Sequence, residues 1–224
     1  MNKFLFPVYA VILGVIIAKL SKNKKTWNTK LLLSFSGAFL LALTLFELLP
    51  EVYSHLDTKF TGLFIMCGIL LQIVLELFSK GAEHGHVHIH KNENAFPWML
   101  FISLCIHSFL EGFPIHQHND MVYGVLVHKV PIAALISMFL FQSKFSQIQI
   151  YSFLTIFAIM TPLGTYISNT ANLGAHFAHS INAIVIGIFF HIATTILFES
   201  GEGHKFNLSK FIAIILGVGI AYFV

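Results

Sequence analysis

The 224-residue sequence contains no arginine; all thirteen of its basic residues are lysine. The guanidinium fork is the usual tool for gripping phosphate, so its absence argues against nucleic acid as a partner. No glycine-rich phosphate cradle is present either, which argues against direct drive by ATP. Charged residues make up only 10% of the chain against 56% hydrophobic ones, and the mean hydropathy is +0.79. A soluble fold of that composition would have too little polar surface to cover itself, so the chain belongs in a membrane. There are only two cysteines, Cys67 and Cys105, each inside an apolar run. They offer neither a disulfide framework nor a CxxC metal site, and both are expected in the core.

What is present is a series of apolar runs. A bilayer core needs roughly 20 apolar residues per helix, and on that measure the chain divides into eight spans: 4–20, 31–50, 60–79, 97–116, 121–141, 150–168, 176–198 and 208–224. The first run has no basic region before it beyond Lys3, and a lysine cluster follows it instead of a cleavage site, so a retained helix is expected. Lysines 19, 22, 24, 25, 30, 80, 91, 144, 205 and 210 all fall in loops on one side, whereas the other side carries Lys3 and Lys59. The positive-inside rule then places both termini outside the cytoplasm. Gly37/Gly187, Phe39/Phe189 and Thr44/Thr194 coincide at an offset of 150 residues. That weak match makes spans two and seven equivalent elements of an inverted repeat around a central pair. The expectation is an all-α polytopic membrane protein, one transmembrane domain over 1–224, with eight helices in a 3+2+3 arrangement and a histidine-rich cytoplasmic loop at 81–95.

Ionisable side chains at bilayer depth are costly unless they face a partner or a cavity, so they mark functional candidates. Span four carries His107 and Glu111, four residues apart and therefore on one helical face. Span five brings His128 and Lys129 to comparable depth if the two helices run antiparallel. Two imidazoles and a carboxylate suit zinc, iron, manganese or cobalt and do not separate them. Pro114 and Pro131 each follow a polar residue by three positions, which is expected to free the carbonyls of Leu110 and Val127 and bend both helices. The plainer alternative is that His107, Glu111, His128 and Lys129 pair with one another as structural glue.

His107-Ser108-Phe109-Leu110-Glu111-Gly112 followed by His128-Lys129-Val130-Pro131-Ile132-Ala133 resembles the fourth- and fifth-helix signatures of the ZIP (ZRT/IRT-like) metal transporters. Phe46-Glu47-Leu48-Leu49-Pro50-Glu51 is similar to the family's polar-Leu-Leu-Pro segment, and Thr161-Pro162-Leu163-Gly164 to its sixth helix. The resemblance implies a divalent-metal uptake carrier with His107, Glu111 and His128 as transport-site ligands and Ser108 where members often place Asn or Ser. Many members have acids where this chain has Lys129 and Ile132, which implies a single transported ion. Lys129 is expected to fill part of the missing second cation's space and to pair with Glu111 until an arriving ion displaces it, lowering affinity. Span seven of many members carries acids near its inner half; here stand His191, Thr194 and Thr195, with Glu199 at the end. The expected exit is therefore His191 and Glu199.

His84, His86, His88 and His90 alternate in the 81–95 loop and are candidates for metal capture. A natural histidine tract without essential function is the plainer reading. On the outer side, Glu47 and Glu51 are entrance candidates, with His116, His118, His176 and His179 near them. The chain is expected in a cell membrane, inner or plasma, with zinc or another divalent transition metal as substrate. The ion and the lipid bilayer are the expected partners, a homodimer is left open, and no enzyme activity is expected. The rival reading is an intramembrane metal-dependent hydrolase, with Ser108 and Glu111 beside a retained ion. Against it, no third histidine is fixed at depth apart from His191, and no aspartate is there to act as base. A membrane protein that binds metal without moving it is the third reading.

Overall fold

The computed structural model describes residues 3–21, 29–79, 96–115, 120–171, 174–199 and 208–224, and all regular structure among them is helical. A short 3-10 turn leads into α1 (Phe6–Ser21). Then α2 (Thr29–Leu43) runs through a π-helical segment (Thr44–Leu48) into α3 (Leu49–His55), which together form one continuous 27-residue helix. The remaining helices are α4 (Thr58–Ser79), α5 (Trp98–Leu110), α6 (Met121–Gln142), α7 (Gln147–Thr170), α8 (Ala175–Glu199) and α9 (Leu208–Tyr222). Pro50 explains the π segment. It has no N–H for the carbonyl four residues back, and the ladder widens just before it, where the N–H of Leu49 reaches Thr44 O.

Five of these rods are long and apolar enough to cross a bilayer: Thr29–His55, Thr58–Ser79, Met121–Gln142, Gln147–Thr170 and Ala175–Phe198. Three shorter apolar helices, α1, α5 and α9, stand where the other three spans are expected. The chain is an integral membrane protein of polytopic helical type. Burial differs sharply among the helices. In α6, 67% of the spanning window is buried within the protein, against 28% in α4, so α6 forms the centre of the bundle and α4 its rim. Leu63, Met66, Leu70 and Leu77 on α4 are all exposed, as a surface facing lipid tails allows. Cys67 shares that outer surface and is exposed, contrary to its expected place in the core, while Cys105 is buried.

The helices pack most extensively in four pairs: α1 on α6, α5 on α7, α4 on α8, and α2 on α9. Small residues permit the closest approaches, as expected where lipid supplies no hydrophobic drive and contact must come from backbone proximity. A Cβ added at Gly164 of α7 would lie 2.0 Å from the carbonyl oxygen of Phe109, and one at Gly112 would lie 2.2 Å from that of Thr161. Between α4 and α8, a Cβ at Gly68 would lie 1.9 Å from Ile184 O, and one at Gly187 would lie 2.1 Å from Ile65 O. Thr165 Oγ1 donates to Gly112 O at 2.8 Å and Ser168 Oγ to Phe113 O at 3.2 Å, so hydroxyls satisfy the carbonyls beyond the end of α5. Between the two sets of pairs, α2 meets α6 and α4 meets α5, where Ser103 Oγ donates to Leu75 O at 2.6 Å.

Candidate metal site

Helix α5 stops at Leu110, and the backbone of residues 111–115 forms turns. Gly112 and Pro114 account for the stop, since the residue before a proline is driven away from helical geometry. The expected bend at Pro114 is thus an ending, and Leu110 O is not left free: it accepts from the N–H of Phe113 at 3.1 Å. Glu111 caps α5, its N–H bonded to His107 O at 3.0 Å, which holds its carboxylate one turn beyond the His107 imidazole. Pro131 lies inside α6, which continues unbroken from Met121 to Gln142.

His107, Ser108, Glu111, His128 and Lys129 come together and are all buried, none more than 3% exposed. The two oxygens of Glu111 have different neighbours. Oε1 accepts from Lys129 Nζ and from Thr161 Oγ1, the latter at 2.7 Å, while Oε2 lies 3.4 Å from His107 Nε2. Lys129 Nζ also donates to Ser108 Oγ at 2.9 Å and Thr161 Oγ1 at 2.8 Å, and it sits 4.5 Å from the centre of the Phe157 ring. An ammonium held by three oxygens and an aromatic face satisfies all its donors without water, which permits a charge at this depth. His128 faces His107 edge-on, ring centres 6.3 Å apart. The ligand atoms of a tetrahedral zinc ion, with bonds near 2.0–2.1 Å, lie roughly 3.3 Å from one another. The 3.4 Å between His107 Nε2 and Glu111 Oε2 therefore already matches one edge of such a shell. Lys129 and Thr161 hold the opposite oxygen, so the expected Lys129–Glu111 pairing is present.

The other candidates are scattered. Glu47, on the π segment, is exposed. Glu51 lies one turn further and meets His55 and His179, with a ligand atom of each within 4.8 Å of the others. His176 is exposed at the start of α8. His191 is 2.5 Å from Glu76 of α4 and borders a depression of about 390 Å³ shared with Leu41, Leu45, Ile69, Phe190 and Thr194. Thr194 and Thr195 direct their hydroxyls back to helix carbonyls, at 2.6 Å from Phe190 O and 2.8 Å from His191 O. The histidines at 84, 86, 88, 90, 116 and 118 lie outside the described residues, as does the side chain of Glu199.

Three further residues join these groups in the tertiary structure. Thr161 reads as part of a helix signature, yet its hydroxyl links Glu111 to Lys129. Glu76 supplies span seven with the acid it lacks, and the visible signal was a lone carboxylate inside the apolar run of span three. His55 follows Glu51 by four residues, a spacing that puts both on one helical face.

The fold and the site define a helical membrane protein with a buried imidazole–carboxylate–ammonium centre between two helices. The family model described as "ZIP Zinc transporter" matches residues 82–224. The chain belongs to that family. Among its relatives, a zinc transporter ZIP1 of Danio rerio is 35% identical over 88 residues, 37% of this chain and 29% of that protein. A zinc transporter ZIP1 of Takifugu rubripes is 28% identical over 152 residues, 62% of this chain and 50% of that protein. Protein zntD of Dictyostelium discoideum is 23% identical over 162 residues, 62% of this chain and 24% of that protein. The chain thus spans half or less of the length of each of these relatives. The family and the two fish proteins are transporters rather than enzymes, which removes the support for a hydrolase.

Proposed function

We propose that this chain carries a divalent transition-metal ion, zinc foremost, across a cell membrane into the cytoplasm by alternating access. The ion is bound between α5 and α6 by His107, Glu111 and His128. The observation that carries this reading is the division of the buried Glu111 carboxylate, one oxygen held by Lys129 and Thr161 and the other turned to His107. Lys129 occupies the space of a second ion, so one ion is carried at a time, and its charge weakens the hold on that ion enough for release.

Alternating access needs two bodies, which we take to be two groups of helices that meet through α2–α6 and α4–α5. Helices α1, α5, α6 and α7 group through the α1–α6 and α5–α7 pairs; α2 with α3, α4, α8 and α9 group through the α4–α8 and α2–α9 pairs. Exchanging spans one to three with six to eight, and four with five, converts each pair of a group into the other pair of the same group. That pattern favours the 3+2+3 inverted repeat within one transmembrane domain over 1–224. With both termini outside, the ion enters past Glu47 and Glu51 and leaves past His191, which Glu76 joins, toward Glu199 and the loop histidines 84, 86, 88 and 90.

The test is radiolabelled zinc uptake into proteoliposomes or cells, at matched protein levels, for the intact chain, His107→Ala and Glu111→Ala. Both substitutions are expected to abolish uptake. Undiminished uptake in either, or no uptake of zinc, iron or manganese by the intact chain, overturns the proposal.

A further inference from the structure

Glu51, His55 and His179 form a second constellation of metal-ligating groups, made of none of the central site's residues. Glu51 and His55 stack on one face of α3, and His179 reaches them from the first turns of α8. A ligand atom from each lies within 4.8 Å of the others. Glu51 Oε1 is 3.7 Å from His179 Nδ1, and the His55 and His179 rings stack at 4.3 Å and 14°. Donors of a tetrahedral zinc ion stand roughly 3.3 Å apart, so to take an ion the group has to contract and one of the two stacked rings has to turn its nitrogen toward the other's.

The surroundings of His55 prepare it as a ligand. Its Nδ1 lies 2.9 Å from Glu51 O, and a carbonyl can only accept, so Nδ1 carries the proton. Ser54 Oγ donates to the same carbonyl at 2.7 Å and stands 2.9 Å from His55 Nδ1, bracing the ring from the side. The lone pair is thereby placed on Nε2. A backbone carbonyl holding the far nitrogen of a metal-bound imidazole is the usual way such rings are oriented and made more basic.

We propose that Glu51, His55 and His179 bind one divalent transition-metal ion, of zinc's class, at the junction of α3 and α8. His179 is buried while His55 is exposed, so the ion is anchored on its inner side and open on its outer side. A fourth position is left for water, which suits an ion that exchanges quickly. Its role as an outer loading site rests on the transport reading above; the binding itself does not. The ligands all come from the helix group that lacks the central site, so an ion held here would also brace α3 against α8.

The test uses the full chain in detergent with the central site removed (His107→Ala, Glu111→Ala, His128→Ala) and the loop histidines 84, 86, 88 and 90 changed to Ala. Cobalt(II) is titrated and followed by its visible absorption, intense when four-coordinate and faint when octahedral, with zinc as competitor. One saturable equivalent is expected. His55→Ala, His179→Ala and Glu51→Gln should each weaken it by at least roughly tenfold, the lower end of what even an outer-shell change does to a metal site. His55→Cys should keep the ion and add a thiolate-to-cobalt charge-transfer band. If the stripped background does not fold, the same substitutions are made in the native chain, where His55→Ala should remove one equivalent and leave the rest. No saturable cobalt in the stripped chain, or binding indifferent to His55 and His179, overturns the proposal. Loss of uptake in the central variants with this cobalt signal intact would leave it standing, and absence of transport by the native chain would refute only the loading role.

Discussion

Lys129→Met isolates the ammonium charge while keeping nearly the length and apolar stem of the side chain. In the native chain the ammonium is 2% exposed and bonded to Ser108, Glu111 and Thr161. Removing it leaves the Glu111 carboxylate buried with only Thr161 and His107 beside it, and breaking such a pair costs about 3–5 kcal/mol. For a chain of this size, that corresponds to a fall in the ion-free melting temperature of about 10 °C. The effect on the ion has the opposite sign. An ion on Oε2 sits roughly 5 Å from the Lys129 charge, and repulsion between two charges and one at an effective dielectric of 20 is about 7 kcal/mol. If relaxation and water remove half of that, zinc should still bind at least about a hundredfold more tightly. Thermal unfolding of the purified protein, with and without zinc, reads both: a lower ion-free transition and a larger rise on adding zinc. Uptake at saturation should slow, because a tightly held ion leaves late. Ion-free stability unchanged, or zinc binding weakened, refutes the assignment of Lys129 as a fixed countercharge.

Other substitutions probe the supports of the site. Thr161→Val keeps the shape but removes the hydroxyl joining Lys129 to Glu111, and should lower stability by about 1–3 kcal/mol, read by thermal unfolding. Gly164→Val drives a side chain into the Phe109 carbonyl and should destabilise by about 1–3 kcal/mol or prevent folding, whereas Gly62→Ala, with nothing within 4 Å, should raise stability by up to about 1 kcal/mol. Glu76→Gln and His191→Ala should slow zinc uptake while leaving zinc binding at the central site unchanged; an equal loss of binding would count against an exit role.

Residues His107, Glu111, His128 and Lys129 were legible as a site because charge and imidazole are rare in apolar runs, and a spacing of four places two of them on one helical face. Which oxygen of Glu111 each neighbour takes was not legible, because that depends on the rotation of α7 and brings in Thr161, fifty residues away. Pro114 was misread as a kink for a local reason: Gly112 beside it lets the helix end, and hydroxyls of α7 take up the carbonyls beyond. Cys67 was misplaced because an apolar run does not reveal which of its faces meets protein and which meets lipid.

By itself the sequence determined the class, the eight apolar segments and the place of the central histidines inside two of them, since hydropathy and helical period are local properties. Only the tertiary structure decided which helices touch. The glycine contacts of Gly68 with Ile184 and Gly164 with Phe109 set those pairings by backbone proximity, which leaves no mark in hydropathy. That packing puts Glu76 against His191 and carries His179 to Glu51 and His55, joining residues more than a hundred positions apart.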